Sequence, residues 1–167
     1  GPASWYHDHT KAGIADLNCN VWEWVSGLRL KNGEINIIPY GDAMKPDASH
    51  SATSTLWKAV DVNGNLVAPG TSGSLKFDGT VVGDATTTSH NLAGSIVIGT
   101  TITYPQYTGA DVETDYAYKY ILYKDLVAKS GTTIPNILKL LGLFPVDAEV
   151  GDDGIWVRNY GERLPLR

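Results

Sequence analysis

The chain has 167 residues, 43% of them hydrophobic and 19% charged, which suits one folded domain with a core of its own. A formal net charge of −5 without a basic run leaves no electrostatic footprint for nucleic acid. No basic amphipathic helix points to a membrane surface, and no stretch is apolar enough to cross a bilayer. The single cysteine, Cys19, excludes an intrachain disulfide and a thiolate metal cage, and leaves the redox compartment undetermined.

Gly1-Pro2 reads as a protease-cleavage remnant, which would make the sequence a fragment of a longer chain. Residues 3–12 form a polar lead-in loop. His7 and His9 would share one face of a strand with Asp8 on the other, and no third ligand is near in sequence, so a solvated loop is favoured over a metal site. The stretch Gly13–Trp24, GIADLNCNVWEW, is too aromatic for a surface loop and too polar for a plain core strand. Trp22 and Trp24 can bury their rings while each indole N–H finds an acceptor, and Asp16, Asn18 and Asn20 can bond nearby backbone. This predicts a buried corner.

Downstream, Leu28-Arg-Leu and Glu34-Ile-Asn-Ile flank Lys31-Asn32-Gly33, a strong hairpin signal, with Pro39 ending the second strand. Residues 40–56 read as an irregular polar connection, in which His50 is most simply a solvated loop residue. Trp57–Val62 and Leu66-Val67 predict a second hairpin around Asn63-Gly64-Asn65. Residues 69–74 form a turn, then Leu75-Lys-Phe alternates toward a break at Asp78-Gly79. The Thr-, Ser- and Gly-rich residues 80–95 read as a surface ribbon. Ile96-Val-Ile and Thr101–Tyr104 read as strand with a bulge at Gly99, stopped by Pro105. Tyr116, Tyr118 and Tyr120 alternate as in a strand, whereas Tyr116, Tyr120, Tyr123 and Val127 fit one helical face; periodicity leaves both open, with packing favoured over ligand contact. Residues 134–144 predict a helix, capped by Thr132 or Thr133, with Pro135 in the first turn and Gly142 and Pro145 at its end. Ile134, Ile137, Leu138, Leu140 and Leu141 would form its apolar face. Asp152-Asp153-Gly154 is a turn, solvated rather than cation-binding, and Ile155-Trp-Val makes a strand.

The run GIADLNCNVWEWVSGLRLKNGEINIIP resembles the tryptophan signature of the formylglycine-generating-enzyme (sulfatase-modifying) family, a branch of the C-type-lectin fold. It is closer still to phage and prophage proteins of that fold, including variable proteins of diversity-generating retroelements. The likeness resumes in STLWKAVDVNGNLVAPGTSGSLKFDG, in TIPNILKLLGLFP and in RNYGERLPLR, in the same order. It implies an α+β, C-type-lectin-like fold, rich in loops and hairpins, with one domain over 1–167 and a family-specific insertion over 40–130.

Enzyme members of that family hold copper with a cysteine pair late in the domain, and related sulfoxide synthases use three histidines. One cysteine, sitting inside the tryptophan motif where relatives carry glycine, cannot form the pair. His7, His9, His50 and His90 do not fall into the histidine motif. No nucleophile–base spacing, phosphate-cradling loop or zinc signature appears either, so the expectation is that the chain is not an enzyme.

Family resemblance also implies a candidate calcium site: side chains of Asp16 and Glu23 with carbonyls of Cys19 and Val21. Against it, Glu23 is satisfied by backbone N–H groups or an arginine and no ion binds. With only two carboxylates, the second reading is favoured. In the relatives a segment like GERLPLR runs on into an Asn/Ser/Gly-rich variable tract that contacts ligand, and this tract would lie beyond Arg167. The resulting expectation is a non-catalytic, tail-associated receptor-binding or structural module, on a virion tail or a bacterial surface. Its partners would be a host-cell receptor or other tail proteins, with a homotrimer as the oligomer implied and neither nucleic acid nor membrane insertion. The alternatives are a truncated formylglycine-generating-type oxidoreductase and a bacterial surface adhesin of the same fold.

Overall fold

A computed structural model describes residues 27–46, 48–81, 92–103, 118–147, 152, 154–158 and 162–163. The predicted tryptophan corner at 13–24 lies outside these residues. So do His7, Asp8, His9, His90, Tyr116, Asp153 and every member of the candidate calcium set.

The strands are β1 (Leu28–Lys31), β2 (Glu34–Ile37), β3 (Lys58–Val60), β4 (Leu66–Val67), β5 (Lys76–Val81), β6 (Leu92–Gly99), β7 (Tyr118–Leu122), β8 (Val127–Ala128), β9 (Gly154–Arg158) and β10 (Glu162–Arg163). The one α-helix among the described residues is α1 (Asn136–Leu140). The result is a mixed α/β protein with little helix. Eight strands form one sheet in the order β10-β1-β2-β5-β6-β8, with β3 attached to β2 and β4 to β3. Its pairs are antiparallel except β6 with β8. β7 and β9 form a separate antiparallel pair. Among the described residues no helix is long and apolar enough to cross a membrane.

The β1–β2 hairpin forms as its sequence predicts. Asn32 at φ 48° and Gly33 at φ 80° make the left-handed pair that a two-residue loop needs to match strand twist. Lys31 then faces Glu34, and Leu28 faces Ile37. Strand alternation sends Leu28, Leu30, Ile35 and Ile37 to one face, where they join the core with Phe77 and Ile98. β2 is shared along its length: Glu34 pairs with Lys76 of β5, while Asn36 and Ile37 pair with Ala59 and Lys58 of β3. Region 40–130 is therefore woven into the centre of the sheet through β3 and β5.

The second hairpin also forms, with Ala59 facing Val67 and Val60 facing Leu66. Its loop is organised by Asp61, whose Oδ1 accepts the N–H groups of Asn63 and Asn65 at 2.8 Å each, and whose Oδ2 accepts Asn65 Nδ2 at 3.0 Å.

Several elements depart from expectation. Asp78-Gly79 does not break the chain: β5 runs through it, and the register against β6 shifts between Asp78 and Thr80. The irregularity expected at Gly99 falls instead further back in β6, where residues 94–96 oppose the single residue Gly79 of β5. The ribbon expected over 80–95 does form where it is described: residues 80–81 and 92–95 belong to β5 and β6, with Thr80 facing Ala93. Beyond Gly99 the chain leaves the sheet, so the strand expected from Thr101 is absent through Thr103. Thr103 instead donates its N–H to Asp78 at 2.7 Å. The tyrosine run resolves as strand: Tyr120 and Trp156 are cross-strand partners in β7–β9, and a 3-10 turn follows at Tyr123–Asp125. Tyr123 is buried, whereas Val127, expected on the same helical face, is exposed.

The helix expected over 134–144 contracts to five residues. Pro135 is extended and contributes no N–H, and no side chain caps the start, so neither threonine performs the capping role. Gly142 ends it as predicted: its N–H bonds Lys139 O, and Leu143 N–H reaches back to Leu138 O at 2.8 Å. So short a helix buries Leu138 while Leu140 is 85% exposed.

Close approach rather than dihedral freedom requires a glycine at 154. A Cβ there would meet Ile121 O and the Tyr120 ring, each at 2.6 Å. Gly154→Ala should lower unfolding free energy by about 2 kcal/mol, as overpacking does, read from the urea midpoint; an unchanged midpoint would contradict the packing. Hydrogen bonds from Asn65 hold the Asp61 carboxyl below its ordinary range. Its contribution is thus complete above the usual carboxylate range and lost as pH falls through the lowered folded value. Thermal melts of Asp61→Asn should lie below the unsubstituted protein at neutral pH and converge with it in acid. Parallel curves at all pH values would contradict this.

Candidate functional site

Charged and polar side chains gather on the second face of the β1–β2–β5 region. The alternation that sends Leu28, Leu30, Ile35 and Ile37 to the core places Arg29, Glu34 and Asn36 opposite. That face is covered by the 40–57 connection and the 68–74 loop, so these residues are buried: Arg29 is 5% exposed, Glu34 4% and Asn36 0%.

Their hydrogen bonds form a continuous chain. Arg29 Nε donates to Asn36 Oδ1 at 3.1 Å, and Asn36 Nδ2 donates to Glu34 Oε2 at 2.9 Å. Glu34 also accepts the Gly70 N–H on both oxygens, at 3.0 and 3.1 Å, and the hydroxyl of Ser74. Lys76 Nζ donates to Ser74 Oγ at 2.8 Å and to the carbonyls of Ser74 and Thr100. At the other end, Arg29 Nη1 donates to Ala52 O at 3.1 Å, and its guanidinium lies 4.4 Å over the Trp57 ring. Trp57 is buried and donates its indole N–H to Ser51 O at 3.0 Å, while the His50 ring meets it edge-on. His50 is therefore exposed to solvent yet packed on one side, which a plain loop reading misses.

A second network lies further along β5. Asp78, 1% exposed, accepts the N–H groups of Gly79 and Thr103 on Oδ1, and its Oδ2 accepts Lys129 Nζ at 2.9 Å. Lys129 reaches it by crossing Gly99, where an added Cβ would lie 2.7 Å from the lysine stem. Its ammonium also bonds Thr101. Strand β5, the end of β6 and the segment after β8 are thereby tied at one carboxylate.

These groups have the residue types of chemistry but the environment of structure. Ser74 and Lys76 are within hydrogen-bond distance, as in a serine–lysine pair. Ser74 is fully buried, however, and directs its proton to Glu34, so its oxygen has no route to a substrate. Elsewhere, the Asp152 carboxylate, weighed as a cation ligand, takes Lys124 Nζ at 2.8 Å. That contact lowers the pKa of Asp152 and raises that of Lys124. Among the described residues no group of three or more His, Cys, Asp or Glu is placed to hold a metal ion.

Strand alternation alone puts Arg29, Glu34 and Asn36 on one face. It does not say that the face is covered, because the covering groups (Ala52 O, Trp57, Gly70 N, Ser74) come from later loops. Glu34→Ala should lower unfolding free energy by about 3 kcal/mol, since the buried donors of Asn36 and Ser74 and the Gly70 N–H all lose their acceptor. Lys45→Ala, which removes an exposed lysine paired with Asp42, should cost under about 0.5 kcal/mol. Equal losses in chemical denaturation would refute the structural assignment of Glu34.

Neither a protein-family model nor a curated protein sequence matches the chain.

Proposed function

We propose that this chain is a non-catalytic binding or structural module: a phage or prophage tail-associated, receptor-binding-type protein built on a C-type-lectin-like frame. The observation that carries this reading is the ordered series of sequence segments, from GIADLNCNVWEW to RNYGERLPLR, that resembles proteins of that kind. Support comes from where the described parts of the series lie. GLRLKNGEI makes the β1–β2 hairpin, and WKAVDVNGNLV supplies β3 and β4 beside it. Glu162–Arg163, from the last segment, pairs with Leu30 and Lys31 of β1. Segments distant in sequence are thus neighbours in one sheet, as expected of the parts of a common frame.

A frame of this kind supports recognition by holding loops in place while its own polar groups are engaged internally. On this reading the ligand-contacting tract follows the GERLPLR segment, the partner is a host-cell surface receptor or another tail protein, and the assembly is a homotrimer on a virion tail. A bacterial surface adhesin of the same fold would use the frame in the same way. The tryptophan segment serves as a structural corner, with Glu23 held by protein groups rather than by calcium.

Reading the gene past Arg167, with its neighbours, tests the proposal. An asparagine-rich tract with adenine-biased codons, near tail genes or a reverse transcriptase, is the expected result. A closely spaced cysteine pair would instead indicate an oxidoreductase of the sulfatase-modifying type and overturn the proposal. For the ion, the melting temperature should be the same in about 1 mM calcium as in chelator, because a ligand selective for the native state must stabilise it. A calcium-dependent rise would contradict the ion-free assignment of Asp16 and Glu23.

A further inference from the structure

We draw no further inference here: the strongest candidate, the exposed apolar tip of the turn after β2, where Tyr40 in a left-handed conformation and Met44 are 87% and 89% exposed, carries nothing because no feature of the structure shows what covers it.

Discussion

Placing a carboxylate and a guanidinium inside a sheet costs several kcal/mol per ion unless each finds charge-matched, hydrogen-bonded partners. Strand β2 imposes that demand here, because both of its faces are buried. One face, Ile35 and Ile37, is satisfied by apolar contact. The other carries Glu34 and Asn36 and is satisfied only by recruiting the rest of the chain: Arg29 from the neighbouring strand, and Ser74 and the backbone of Gly70 from the loop before β5. The 40–57 connection follows from the same requirement. It has almost no regular structure, yet its Ala52 carbonyl and Trp57 ring close over Arg29. A polar strand face thus determines where two long irregular loops must lie.

Such an arrangement explains why a sheet of mostly short strands can hold together. β4, β8 and β10 have two residues each, too few to be fixed by ladder bonds alone. β8 is secured by the Lys129 side chain, which crosses Gly99 to reach Asp78, and by its backbone N–H on Ile98 O. Side-chain tethers of this kind fix register as well as position, since Asp78 sits beside the shift in register between β5 and β6. With Arg29, Glu34, Asn36 and Asp78 all engaged by protein groups, these residues act as parts of a frame.

Local chemistry made some of this legible in the sequence. Asn32-Gly33 and Asn63-Gly64 mark their hairpins because few residues tolerate positive φ, and the strands on either side alternate cleanly. Tertiary context decided the rest. Asp78-Gly79 looks like a turn, but Asp78 bonds Thr103 and Lys129 instead of its own backbone two residues on, so the strand continues. The apolar run from Ile134 to Leu141 looks like a long helix. Pro135 and Gly142 leave it little more than one turn, and packing is carried by Leu138 and Leu143. The tyrosine run fits two periods at once, and the pairing of Tyr118–Leu122 with β9, invisible to local pattern, selects the strand there. The residues that carry the family resemblance most strongly, Asp16 to Trp24, lie outside the described part of the fold, so the candidate site rests on sequence while the frame rests on structure.

Native-state hydrogen exchange at the Gly70 amide tests the central claim most directly. Gly70 is itself solvent-exposed, at the tip of a glycine-rich turn, yet its N–H is held by both oxygens of buried Glu34. The account predicts protection comparable to the β2 amides of Ile35 and Ile37, because the same network must open to release it. Exchange as fast as that of an unstructured loop would contradict it.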